Sequence, residues 1–261
     1  MRTALHLSAM TNLKGLTKKL LAVADAEAEA QLINEKDAEG NTPLHYACQN
    51  IDPGEPTYVD PSANALLDVS SADLLDTSEN IIDQLLAHHA SIDISNGYGM
   101  TPLHVATTFG NSYAVNAILD ICSAPHIVNA ADTLGRTPLH LALRTGNVTN
   151  ITKLLDISAN VYLVDKDQTA PIHIAASMGN LSVLIRLLDI SSGLVNVEDV
   201  NGWTPLHWAA YAGHHYCVRE LVDRGAVKDK TNTQNDMPLH LATRMGHQLS
   251  ALILMSTNLP Q

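Results

Sequence analysis

Between Asp37 and Gly135 the chain carries no lysine or arginine, against thirteen aspartates and glutamates. With a net charge of -12 over 261 residues, the basic stripe that nucleic-acid phosphates require is missing, so neither DNA nor RNA is an expected partner. Cysteine is scarce as well. Cys48, Cys122 and Cys217 are odd in number and scattered, which gives no disulfide framework and points to a reducing compartment. No apolar run is longer than Leu20 to Ala24, far short of the ~18 residues that span a bilayer. That run contains small residues of the kind found at secretory cleavage sites, but it is too short and follows Lys18 and Lys19 directly. A soluble, cytoplasmic or nuclear protein without membrane contact is the expectation.

What the chain does have is a recurring tetrapeptide. Thr42-Pro43-Leu44-His45 returns at Thr101 to His104, Thr137 to His140 and Thr204 to His207, with looser copies around His6, His173 and His240. The histidines recur with a period of about 33 residues, the mark of stacked repeats. Within each period Thr caps a helix, Pro occupies its first position and the following apolar residues face inward. Six residues after the histidine stands a glycine in five copies, at Gly110, Gly146, Gly179, Gly213 and Gly246, where the helix stops and the chain turns. A second helix follows with one apolar stripe, for example Val148, Ile151, Leu154 and Leu155. Segments such as Asp199-Val200-Asn201-Gly202 then suit a tight turn with Gly at positive φ.

On these residues the chain resembles an ankyrin-repeat protein. The family's Gly-x-Thr-Pro-Leu-His-x-Ala signature stands as Gly135 to Ala142 and as Gly202 to Ala209. The resemblance implies an all-α solenoid of stacked helix-turn-helix units joined by β-hairpin loops. Seven units are expected, at about 1–36, 37–95, 96–131, 132–164, 165–198, 199–231 and 232–261, forming a single array over 1–261. Two units depart from the pattern. The fifth has Ala170 for Thr and Gln168 for Gly, and the seventh has Met237 and Asn235. A lost cap costs roughly 1 kcal/mol, and Gln tolerates the left-handed backbone poorly, so the turn at Gln168 is expected to be distorted or strained.

From His45 to Leu85 the spacing exceeds that of the other units by about twenty-six residues. The excess falls at 51–76, an insertion between the helices of the second unit with Pro53, Pro56 and Pro61, six acidic residues and no basic one. Its leucines suit docking on the array, and a partner contact is weighed for it against a tolerated excursion. A smaller excess near Asp25 to Gln31 reads as structural.

Thirteen histidines invite a metal or catalytic reading. Seven of them are the motif histidine, which the resemblance assigns to hydrogen bonds with backbone and the neighbouring hairpin. His214, His215 and Cys217 are zinc-ligand types, yet His214 follows Gly213 at a common Gly-His position of the family. No nucleophile signature, glycine-rich phosphate loop or paired carboxylates are found. No metal, cofactor or enzymatic activity is therefore expected.

The resemblance places recognition on the face formed by hairpin tips and the exposed side of each first helix. By offset from the motif histidine these places hold Tyr98, Met100, Phe109, Leu134, Arg136, Arg144, Met178, Trp203, Tyr211, Arg244 and Met245, types enriched in interface hot spots. The next column, Leu7, Tyr46, Val105, Leu141, Ile174, Trp208 and Leu241, is uniformly apolar and is expected to be core. The expected function is a non-catalytic protein-protein interaction module, acting as a monomeric scaffold, adaptor or masking inhibitor. Its acidic stretch 37–135 suits a partner with a basic segment. The alternative is the substrate- or host-target-binding part of a larger enzyme, such as a ubiquitin ligase or a bacterial effector.

Overall fold

In the computed structural model, residues 2–23, 32–50 and 79–256 are described. The expected insertion at 51–76 and the excess near 25–31 lie outside them. The described residues form two compact units that divide after Thr133.

The first unit holds α1 (Ala4–Met10), α2 (Lys14–Val23), α3 (Pro43–Gln49), α4 (Ile81–Ala87), α5 (Pro102–Thr108), α6 (Ser112–Ile121) and the single turn α7 (Pro125–Val128). Motif helices pack on motif helices, α1 on α3 and α3 on α5, and second helices pack on second helices, α2 on α4 and α4 on α6. The second unit repeats the scheme with α8 (Pro138–Thr145), α9 (Val148–Asp156), α10 (Pro171–Ser177), α11 (Leu181–Ile190), α12 (Pro205–Ala212), α13 (His215–Asp223), α14 (Pro238–Arg244) and α15 (Gln248–Met255). There α8, α10, α12 and α14 form one layer in sequence, while α11, α13 and α15 form the other. This is a helical solenoid layer by layer, with no strand among the described residues; nor is any helix there long and apolar enough to cross a membrane.

Within each compact unit the motif histidine ties one repeat to the next. The backbone N–H of Thr42 donates to His45 Nδ1 at 3.1 Å, and the Thr42 hydroxyl lies 2.8 Å from the same nitrogen. An amide can only donate, so Nδ1 must accept and the proton sits on Nε2. That Nε2–H donates to the Met100 carbonyl at 2.9 Å. The same bridge runs from His6 to the Asn41 carbonyl in the first unit, and from His140 to Thr169 and His207 to Asp236 in the second. His173 reaches both Val197 and Trp203 carbonyls at 3.1 Å. Burial lowers the basicity of His45 to about 4 and pushes His173 and His207 in the same direction, which keeps the rings neutral and the bridges intact.

The connecting turns are built by an aspartate or asparagine rather than by a ladder. Asp165 Oδ1 accepts the Asp167 and Thr169 amides at 3.0 and 2.9 Å, and the Gln168 amide donates to the Asp165 carbonyl at 3.0 Å. The glycine-bearing turn at Asp199 has the same bonds, with Gly202 donating to the Asp199 carbonyl at 2.9 Å. Of the distortion or strain expected at Gln168, the turn shows strain without distortion. The turn keeps its geometry by holding Gln168 at a φ of 57°, left-handed backbone in which a side chain costs about 1–2 kcal/mol. Ala170 retains the amide bond to His173 Nδ1 at 3.0 Å and forgoes only the hydroxyl.

Two sequence expectations need correction. Leu7, placed in the core column, is 47% exposed; its counterpart Tyr46 is covered by Arg2, and no such cover exists at Leu7 among the described residues. Val148, placed on the buried stripe of α9, is also exposed, while Ile151, Leu154 and Leu155 are buried. As the first residue of the helix, Val148 precedes the turn that the stripe covers.

Candidate functional site

The residues expected at the recognition face lie on the turns and at the C-terminal ends of the motif helices. In the first unit Tyr98 and Phe109 are exposed, and Met100 is half-buried in the turn before α5. In the second unit Leu134, Met178, Tyr211 and Met245 are exposed, Arg144 and Arg244 lie at solvent, and Arg136 and Trp203 are half-buried. Exposure begins at the C-terminal end of α8: the residues from Pro138 to Leu143 are buried, and the next residue, Arg144, is exposed.

The second unit brings two of these positions into one feature, together with a third ring from the core column. Trp203, on the turn before α12, stands edge-on to Tyr211 with ring centroids 5.3 Å apart and interplanar angle 67°. It stands likewise to Trp208 at 5.8 Å. Asp199, Asn201 and Gln234 complete an open groove of about 340 Å³ with these rings. Asp199 is committed on one oxygen to the Asn201 and Trp203 amides, and its Oδ2 accepts the Trp208 indole N–H at 3.0 Å. Trp208, expected to be packing, is thus half-buried and walls the groove. The corresponding positions of α8, α10 and α14 hold the smaller Leu141, Ile174 and Leu241, all buried, whereas an indole N–H needs an acceptor. The spacing of Asp199 and Trp208, nine residues apart, repeats that of Asp37 and Tyr46 and was the signal for it.

The arginines do not present bare charge to a partner. Arg244 Nη2 donates to Asp236 Oδ2 at 2.8 Å, and Arg144 lies 4.0 Å from Asp165 Oδ2. Nor is the carboxylate-rich stretch uniformly free. Asp37 is buried, and although burial works against the charge, hydrogen bonds from Tyr46, the Asn41 and Glu39 amides and Arg2 hold its carboxyl below the usual range. Asp83 accepts from the Tyr113 hydroxyl.

The histidine and cysteine cluster has a packing role. His214 Nε2 donates to the Ser177 carbonyl at 2.9 Å, with its ring lying against Gly179. His247 does the same to Tyr211 at 3.0 Å and to Gly213. Cys217 is buried, and burial pushes its thiol up to about 11. Among the described residues no group of three or more histidine, cysteine, aspartate or glutamate side chains is arranged to hold a metal ion.

A family model for ankyrin repeats matches residues 72–165, 123–194, 149–232 and 172–259. The chain belongs to the ankyrin-repeat family. Its similarity to curated proteins is short. It is 44% identical over 46 residues to ankyrin repeat domain-containing protein 40 of Homo sapiens, 18% of this chain and 12% of that one. It is 38% identical over 63 residues to palmitoyltransferase Hip14 of Drosophila melanogaster, 24% of this chain and 10% of that one. Over 62 residues it is 40% identical to SMC5-SMC6 complex localization factor protein 1 of Homo sapiens, 23% of this chain and 6% of that one. The chain thus spans a small fraction of the relatives it matches.

Proposed function

We propose that this ankyrin-repeat chain is a non-catalytic protein-binding module that acts as a scaffold, adaptor or masking inhibitor. The observation that carries the reading is the exposure of a large apolar side chain at the end of individual motif helices, above all in the second compact unit. Phe109, Met178 and Met245 occupy one offset and Tyr211 the position before it, each 43–48% exposed, next to a column that is almost wholly buried. Exposed aromatics and methionines held on rigid helices are the anchors that interfaces use. The module works as a monomer in the cytoplasm or nucleus, and the carboxylates between residues 37 and 135 favour a partner with a basic segment.

The test is capture of partners by the wild type and by the Trp203→Ala/Tyr211→Ala double variant. Affinity for the captured protein should fall by more than ~2 kcal/mol with the helical signal retained. Undiminished capture by a folded double variant refutes the reading. The match to a palmitoyltransferase favours a second reading, in which the chain is the target-binding part of a larger enzyme such as a ubiquitin ligase or a bacterial effector. An antibody against the chain would then detect a native protein well above 28.0 kDa.

A further inference from the structure

The geometry points to an arginine side chain of the protein partner as the occupant of the groove at Asp199, Trp203, Trp208 and Tyr211. This inference rests on the binding-module reading and names the chemistry recognised at one place on it. The warrant is a second copy of the same arrangement, already filled, within the chain. Counted from the motif histidine, Asp37, Glu39, Asn41 and Tyr46 correspond to Asp199, Asn201, Trp203 and Trp208. In both copies the aspartate's Oδ1 holds the two turn amides, and its Oδ2 accepts from the aromatic residue nine positions on, Tyr46 Oη–H at 2.7 Å in one and the Trp208 indole N–H in the other.

At the first copy a guanidinium completes the site. Arg2 Nε lies 3.3 Å from Asp37 Oδ2 and 3.0 Å from Tyr46 Oη, Nη2 lies 3.4 Å from Glu39, and the guanidinium carbon sits 5.2 Å from the Tyr46 ring centroid. Asp165 has an arginine near its outer oxygen too. At Asp199 the residue in the place of Arg2 is Thr169, which is buried and neutral, and no cation is paired with this carboxylate among the described residues. In its stead stand two further rings, Trp203 and Tyr211, packed edge-on at 67° to one another, and with Trp208 they line the open groove. Aromatic faces beside a carboxylate attract a cation, and a planar guanidinium stacks on them better than an ammonium.

Trp203 and Trp208 are the only tryptophans, so their emission reports on this groove alone. The full chain is titrated with acetyl-Gly-Arg-Gly-amide and with the same peptide carrying citrulline, lysine or trimethyl-lysine. A saturable change with the arginine peptide, about tenfold weaker for the neutral citrulline, is expected. Asp199→Asn should weaken it similarly. Asparagine at the corresponding turn positions 96 and 232 accepts the same amides, so the substitution removes the charge and keeps the turn, at the loss of the acceptor for the Trp208 indole N–H; the citrulline peptide, which leaves the protein unaltered, isolates the charge. Tyr211→Ala, which touches no turn bond, should also weaken it. Equal response to arginine and citrulline, a preference for either lysine peptide, or no saturable change at millimolar concentrations overturns the assignment. If the captured partner is lost on Trp203→Ala/Tyr211→Ala yet binds Asp199→Asn undiminished, the arginine falls and the binding module stands.

Discussion

His45 offers a direct test of how the units are joined. Its Nδ1 accepts from the Thr42 amide and its Nε2–H donates to Met100, so a proton added at Nδ1 would face an amide hydrogen inside a site with no exposure. In the unfolded chain the ring protonates near 6.5; in the folded chain burial, against the pull of the Met100 carbonyl, delays this to about 4. Between those values the unfolded state binds more protons, so stability is fully present above pH 6.5 and is lost as pH falls toward 4. At 1.36 kcal/mol per pH unit the loss is about 3 kcal/mol. His173 and His207 are shifted in the same direction by burial and add to it. The ring can be followed by proton-carbon NMR, and opening of α3 by amide exchange at pH 7 and pH 4.5. His45→Gln keeps a side-chain partner for the Thr42 amide, as in a capping box, and loses the bond to Met100. It should cost about 1–3 kcal/mol at pH 7 and remove most of the acid-dependent loss from α3. Titration of the folded imidazole near 6.5, or a His45→Gln protein with the wild-type dependence on pH, would refute the reasoning.

Other substitutions probe single contacts of the second unit. Gly213→Ala sets a Cβ 2.5 Å from the His247 ring at a φ of 81°; the left-handed cost and the disturbed bond to Tyr211 should together remove about 2–3 kcal/mol, seen as a lower urea midpoint by tryptophan emission. Gln168→Gly relieves left-handed backbone at an exposed turn. After the entropy of glycine is set against it, a gain of about 0.5–1 kcal/mol is expected in the same assay, and a loss would show that the side chain has a role in the turn. Asn150, on α9, is buried with both side-chain polar atoms lacking a partner, where α11 has Val183 at the same offset. Asn150→Val should stabilise by about 1–2 kcal/mol, and destabilisation would mean that the amide is satisfied.

The helices were legible because their signals are local. Thr before Pro sets the start, and Gly at positive φ sets the stop; both act within one turn of backbone and need no knowledge of what packs outside. Burial is a relation between units, and there the reading by column failed where the neighbour differed. Leu7 and Tyr46 share an offset and differ in cover, since only Tyr46 has Arg2 above it. At Gln168 one of the two expected outcomes is found and the other is not. Residue preference foretold a distorted or strained loop; the aspartate Oδ1, holding two amides at 2.9–3.0 Å, fixes the turn from outside the offending residue, so the strain is retained at Gln168 rather than relieved by distortion.

The candidate site was half legible for a related reason. Trp203 and Tyr211 could be placed at the face from their offsets, because exposure there follows from helix phase. Trp208 sits in a column that is buried apart from Leu7 at its start, and phase alone assigns it to packing. What takes it out of the core is a polar requirement. An indole N–H cannot be buried without an acceptor at tolerable cost, the Asp199 Oδ2 supplies one at 3.0 Å, and that oxygen lies at the turn, on the side of Trp203. The bond draws the large ring toward the face and so turns one core position into the wall of a groove. Tyr46 at Asp37 follows the same rule with a hydroxyl. A hairpin aspartate followed nine residues later by an aromatic donor is therefore a pattern that a sequence does display, and among the described residues it marks two places where the carboxylate of a turn and an aromatic side chain meet.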